Sequence, residues 1–200
     1  DRNLDCQAYY SPYYNVTWGD SELCKWLNKT FYNTAFTDLE QNAITETKVI
    51  TTIHEGTDGS PNSRNKVYLL SIEDIINSQY GFISDVDKKS KTRESKNTSY
   101  AQFCGAWTCT DEEYEGNGWW WLRSLGDSSR KALEVNNYGY VVNQGVYACY
   151  GNYAVRPVLH LNLSSSDLWE KAGKINSEGE VVLPSNTSSP SPTVSPTMPP

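Results

Sequence analysis

The apolar positions change their period part-way along the chain. From Asp20, Leu23, Trp26, Leu27 and Phe31 recur at helical spacing, with Asp20 or Ser21 placed as an N-cap, which predicts a short amphipathic helix with Trp26 and Leu27 toward the core. Thr37-Asp38-Leu39-Glu40 is a capping box ahead of Leu39, Ala43 and Ile44 and predicts a second helix. Ser71 caps a third, with Ile72, Ile75 and Ile76 as its apolar stripe and Gly81 as its end. Residues 48–53 and 66–70 read as strands, and the Gly, Pro, Asn and Asp of residues 54–65 make a loop between them. Residues 84–99 form a second, polar loop.

After Tyr100 the chain breaks into short strands, predicted at residues 119–123, 132–135, 140–142 and 154–163. The turns Asn136-Asn137-Tyr138-Gly139 and Asn143-Gln144-Gly145 supply residue types that tolerate positive φ, so this half is expected to be a meander of antiparallel hairpins. Residues 174–183 add a last hairpin turning at Ser177-Glu178-Gly179. Helices first and sheet second make an α+β fold. One domain is expected over residues 1–183, followed by a Pro/Ser/Thr-rich linker or stalk over residues 184–200.

Composition narrows the function classes. A 38% hydrophobic content supports one core, and the net charge of −7 disfavours nucleic acid, whose phosphates need clustered Lys and Arg. The basic cluster Lys88, Lys89, Lys91, Arg93 and Lys96 is interspersed with Asp85, Asp87 and Glu94 and reads as a solvated loop. No apolar run reaches the roughly 18 residues of a membrane span. The chain is read as soluble, without direct membrane insertion, and the stalk-like tail suits an extracellular protein. Of the five cysteines, Cys104 with Cys109 and Cys6 with Cys24 are possible pairs, leaving Cys149; small half-buried thiols are the equal alternative.

Chemistry-bearing motifs are sparse. The sequence has no Gly-rich phosphate loop, no Gly-x-Ser-x-Gly and no His-Glu-x-x-His, and His160 reads as a strand histidine that is solvated or satisfied within a sheet. The acidic run Asp111, Glu112, Glu113 and Glu115, with Asn117 nearby, reads as a solvated loop in preference to a calcium site. No catalytic, metal or cofactor set is assigned. In Trp119-Trp120-Trp121, strand alternation sends Trp119 and Trp121 to one face and Trp120 to the other; Arg123 is expected to stack on a Trp or reach a buried carboxylate. Arg156, before Pro157, reads as a buried or half-buried anchor.

Between Trp119-Trp120-Trp121-Leu122-Arg123-Ser124 and Val155-Arg156-Pro157-Val158-Leu159 lies an interval, residues 125–154, that holds five of the chain's fourteen tyrosines. Its Tyr, Asn, Ser and Gly content is that of a recognition surface: tyrosine gives a large contact area at low rotamer entropy, and the small polar residues adapt their hydrogen bonds.

These runs, with Trp26-Leu27-Asn28, Phe31-Tyr32-Asn33-Thr34-Ala35-Phe36 and Lys66-Val67-Tyr68-Leu69-Leu70-Ser71, resemble a bacterial domain family of unknown function found in surface and secreted proteins and similar to the C-type lectin and formylglycine-generating-enzyme folds. Members usually carry further strands ahead of Leu4-Asp5-Cys6. The bracketed interval also resembles that of the variable ligand-binding proteins of diversity-generating retroelements. The resemblance implies a secreted or cell-surface module that binds a protein or glycan through Asp127, Ser128, Asn136, Tyr138, Tyr140, Asn143, Tyr147, Tyr150, Asn152 and Tyr153. Its alternatives are a thiol- or metal-dependent oxidase using Cys104 and Cys109, and a structural spacer.

Overall fold

The computed structural model describes residues 2–3, 5–6, 9, 17–51, 62–164, 174–175 and 181–182. The chain divides into two compact units, Asp1–Asn162 and Leu163–Pro200. In the second, strand Lys174–Ile175 pairs antiparallel with Val181–Val182, which is the hairpin expected there; its turn and the 184–200 tail lie outside the described residues.

The first unit is a mixed α+β fold. Its strands, in chain order, are β1 (Arg2–Asn3), β2 (Asp5–Cys6), β3 (Ile44–Thr45), β4 (Thr47–Val49), β5 (Ser63–Asn65), β6 (Val67–Leu69), β7 (Lys96–Asn97), β8 (Trp120–Leu125), β9 (Lys131–Val135), β10 (Val141–Tyr147), β11 (Ala154–Val155) and β12 (Pro157–Leu161). A five-stranded sheet runs β10-β9-β8-β11-β2, and β12, continuing from β11, lies between β3 and β6 in a second sheet. The expected meander holds for β8, β9 and β10. The two runs that bracket the interval meet side by side: Ala154 of β11 pairs in parallel with Trp120 of β8, and the Ala154 amide donates to the Trp119 carbonyl at 2.7 Å.

The N-terminal helix begins where its cap predicts. Ser21 Oγ accepts the Cys24 amide, and helix α1 (Glu22–Trp26) passes through a π-helical segment, Leu27–Phe31, into α2 (Tyr32–Ala35). Asn28, in the π segment, works as a detached strand residue: its Oδ1 accepts the Lys66 and Val67 amides and its Nδ2 donates to the Val67 carbonyl at 2.8 Å. Leu27 is fully buried and Trp26 half-buried. The Thr37 capping box opens α3 (Asp38–Ala43), but Leu39 faces solvent because a helix this short buries only Ala43. Ser71 and Asp74 form a capping box for α4 (Ile72–Ile75), which stops at Ile76; a separate 3-10 turn, Ser78–Tyr80, ends at left-handed Gly81.

Three further expectations need correction. Residues 63–65 of the expected loop form β5, paired with β4. Asn143-Gln144-Gly145 is not a turn: β10 continues through it as a bulge, with the register against β9 shifting between Val142 and Val146. Gly145 takes φ +70° there, packed on Gly126 and the Ala132 carbonyl, so positive φ kinks a strand instead of reversing the chain. Arg93, placed on a solvated loop, is fully buried, and the loop folds around it.

The tryptophan alternation is observed. Trp121 joins the core with Leu23, Leu27, Val67, Leu69 and Tyr153, while Trp120 joins the opposite core with Ile75, Leu122, Leu133 and Val141. Arg123 leaves the β8–β9 ladder where the register shifts, and its amide donates to the Leu70 carbonyl. Its guanidinium pairs with Asp74, donates to the carbonyls of Leu69 and Ile50, and lies 5.8 Å from the Tyr68 ring, so it reaches a carboxylate and a tyrosine and not a tryptophan. Arg156 is half-buried 4.9 Å over the Trp120 ring.

Candidate functional site

The interval follows on from β8, supplies β9 and β10 to the same five-stranded sheet and comes back beside β8 at β11, so its hairpin and the following turn are held at both ends by the central strands. Its aromatic rings form a connected series. Trp121 and Trp119 lie 4.4 and 5.4 Å from Tyr153, Trp119 stacks on Trp107 at 4.1 Å, Tyr150 is parallel to Tyr153 at 6.4 Å, and Tyr147 meets Tyr150 edge-on at 6.2 Å. The series runs from core to solvent: Tyr153 is 5% exposed, Tyr150 48% and Tyr147 46%.

Tyr153 is therefore corrected from an exposed candidate to a core residue. Strand alternation in β9 brings Glu134 opposite Trp121, and Glu134 hydrogen-bonds with the Tyr153 hydroxyl beneath the outer tyrosines. Burial pushes the Glu134 carboxyl up to about 8, the bond to Tyr153 opposing the shift, and the same burial raises the Tyr153 phenol.

The other candidates separate into two clusters and a set of supports. Tyr147 sits opposite Lys131 across the β9–β10 ladder, and the Lys131 ammonium lies 5.7 Å from its ring while pairing with Asp127 at 3.1 Å. Asp127, Lys131, Tyr147 and Tyr150 thus form one charged aromatic face. Asn143, bulged outward, and Asn152 are exposed, and the Asn152 carbonyl is fixed by the Trp107 amide at 2.9 Å. Ser128 is a half-buried turn residue whose carbonyl accepts the Lys131 amide. Asn136 is a support: its Oδ1 accepts the amides of both Tyr138 and Tyr140 and shapes the turn. Tyr140 is half-buried, and Tyr138 turns to other neighbours, meeting Tyr114 edge-on at 4.7 Å.

Residues 3–163 match the model of a domain of unknown function, DUF6273. The chain belongs to that family. No curated protein and no solved structure matches it.

In this DUF6273 domain buried amides tie the interval to the chain that precedes it. Asn137 accepts the Trp119 indole N–H at 3.1 Å and donates to Cys109 Sγ, while its carbonyl accepts Asn117 Nδ2 at 3.0 Å. Asn97 donates to the Trp107 carbonyl and Thr108 Oγ1. Cys109 and Cys24 are buried free thiols, Cys104 is an exposed one, and Cys149 is free and half-buried. With Cys24, Cys104 and Cys109 all free, neither suggested disulfide forms; Cys24 accepts from Asn65 Nδ2 at 3.2 Å, and burial raises its thiol to about 11. His160 is satisfied by two strands: its Nε2 lies 3.1 Å from the hydroxyl of Tyr68 in the neighbouring β6, and its Nδ1 2.9 Å from Oγ1 of Thr47 in β4. Among the described residues, no three His, Cys, Asp or Glu side chains converge as a metal site, and no helix is long and apolar enough to cross a membrane.

Sequence reasoning missed Lys131, Lys89, Tyr114 and Trp107. Lys131 could have been found from the hairpin register, which sets it against Tyr147. Tyr114 and Trp107 lie outside the interval and join it only through long-range packing, which no local pattern carries.

Proposed function

We propose that this DUF6273 domain is an extracellular ligand-binding module of C-type lectin-like fold, presenting Asp127, Lys131, Tyr147, Tyr150 and the neighbouring Asn143 and Asn152 to a protein or glycan at a cell surface. The carrying observation is that Tyr147 and Tyr150 are about half exposed yet continue a ring series rooted at Trp121. Rings held in this way lose little rotamer freedom on binding, which is the cost that mobile surface side chains incur. Lys131 and Asp127 add a donor and an acceptor at the rim, as recognition faces need. Asn143 sits on the bulge that Gly145 kinks, and Tyr147, Tyr150 and Asn152 border a turn held by backbone bonds from the Ala148 amide to the Arg130 carbonyl and from the Trp107 amide to the Asn152 carbonyl, so their side chains can change without unfolding the sheet. That supports reading the interval as a diversified surface, with variation expected at residues 143, 147, 150 and 152.

An array of glycans and secreted proteins probed with the purified chain tests the binding reading. Any ligand found is expected to bind the Tyr147→Ala/Tyr150→Ala variant at least ~30-fold more weakly, which is ~2 kcal/mol and the scale of an aromatic hot spot. A ligand that binds this variant as tightly as the parent contradicts the assignment of the face.

A further inference from the structure

Lys88 and Lys89 are consecutive residues on one loop with different partners. Lys88 pairs with Asp85 at 2.9 Å. Among the described residues Lys89 makes no ion pair; its ammonium stands 4.4 Å from the centroid of the Tyr138 ring and 5.4 Å from that of Tyr114. Those two rings meet at 4.7 Å and 82°, forming a corner with the cation in its angle.

The backbone that carries both rings is fixed before any ligand arrives. Tyr138 is set by the two amides that Asn136 accepts, by the Ser90 amide donating to its carbonyl at 3.3 Å, and by Gly139, which Arg93 grips through its carbonyl at 2.8 Å. Gly139 has φ +69°, and a Cβ there would strike the Ser90 carbonyl oxygen, so the turn admits no other residue without moving. Tyr114 is fixed by its amide donating to Asp111 and its carbonyl accepting Asn117, and Asn117 Nδ2 also donates to the Asn137 carbonyl, tying one ring's loop to the other's. The Tyr114 hydroxyl donates to Glu113 at 2.8 Å. Glu113 and Glu94 line the adjoining cleft of about 240 Å³ with Lys89, Ser90, Lys91 and Tyr114.

An attractive ring face, a second ring at right angles and nearby carboxylates are what an organic cation selects, because the ring quadrupole favours positive charge over its face. We infer that the Tyr114–Tyr138 corner is a binding site for an alkylammonium or quaternary ammonium group, and that Lys89 is a tethered occupant which a ligand displaces. The tether gives Lys89 a high effective concentration, so the open site is stronger than the closed one. A quaternary ammonium has the advantage over it, being less strongly hydrated than a primary amine. This site shares no residue with the Tyr147–Tyr150 face and stands or falls separately from it.

The test is a titration of isotope-labelled protein with tetramethylammonium chloride, followed at the backbone amides of Tyr114 and Tyr138, with sodium chloride at equal ionic strength as control. Saturable shifts are expected, and Lys89→Ala should tighten binding at least tenfold. In the Lys89→Ala background Tyr138→Leu should abolish binding while Tyr138→Phe preserves it; if Tyr138→Leu does not fold, Tyr114→Leu serves in its place. A parallel titration with N-acetyl-lysinamide distinguishes the sources: binding of both cations points to lysine side chains of a polypeptide, and binding of tetramethylammonium alone to a quaternary headgroup. Shifts no larger than those with sodium, or binding that Lys89→Ala leaves unchanged, overturn the inference.

Discussion

An Arg93→Met variant is expected to lose about 4 kcal/mol of folding stability, measured by urea denaturation. Arg93 is fully buried, and its guanidinium donates to four carbonyls: Gly139 through Nε at 2.8 Å, Ile83 through Nη1 at 3.0 Å, Asp85 through Nη2 at 2.9 Å, and Lys88. Its own carbonyl accepts the Trp120 indole N–H at 3.1 Å. Burial lowers the guanidinium's pKa from its ordinary value, but that value is so high that the charge persists at neutral pH. A methionine of similar length fills the space and leaves the carbonyls without their donor. Each hydrogen bond from a charged group contributes about 1.5–3 kcal/mol, and orphaned buried carbonyls add their own desolvation cost. Arg93→Lys should recover less than half of the loss, because one ammonium cannot span a fork of acceptors on two loops. A loss under about 1 kcal/mol for Arg93→Met would show that the loop is not organised by this side chain.

Stability should fall as pH rises from about 5 to 9, by up to about 4 kcal/mol, and Glu134→Gln should remove that part of the slope. Burial raises the folded-state pKa of Glu134 to about 8, well above the ordinary carboxylate value that applies in the unfolded chain. Between those two values the folded state keeps a proton that the unfolded state has released. The stabilisation is therefore complete below the unfolded value, shrinks steadily through the window, and is gone above the folded one. Glutamine mimics the protonated acid, keeps a partner for Tyr153 and does not titrate. Denaturation of both proteins at three pH values isolates this residue from the other titrating groups. Parallel slopes for the parent and Glu134→Gln would mean that Glu134 ionises normally in the fold.

Local chemistry made much of the frame legible. The Ser21, Thr37 and Ser71 caps each start a helix, and the alternation of Trp119, Trp120 and Trp121 divides the two cores. A cap or an alternation is decided within a few residues, so sequence carries it. The errors share a different origin. Arg93 looked solvated because its neighbours are charged, yet its carbonyl partners include one 46 residues away. Gly145 looked like a turn because positive φ serves turns and bulges alike, and only the β9 register distinguishes them. Tyr153 looked like its exposed siblings; its burial depends on Trp119, Trp121 and Glu134, which come to it from two other strands and the residue before one of them. Within the candidate site, composition identified the tyrosine-rich interval, while the division of its tyrosines into face, corner and core is tertiary.

That division is the central claim, and a paired denaturation experiment tests it most directly. Tyr153→Ala removes a 5% exposed ring from between Trp119 and Trp121 and is expected to cost about 3–5 kcal/mol. Tyr147→Ala/Tyr150→Ala removes two rings that are each about half exposed and is expected to cost less than about 1 kcal/mol, leaving a face that folding does not require. If the double variant were destabilised as much as Tyr153→Ala, the outer tyrosines would be part of the core, and the interval would present no separate surface for a ligand.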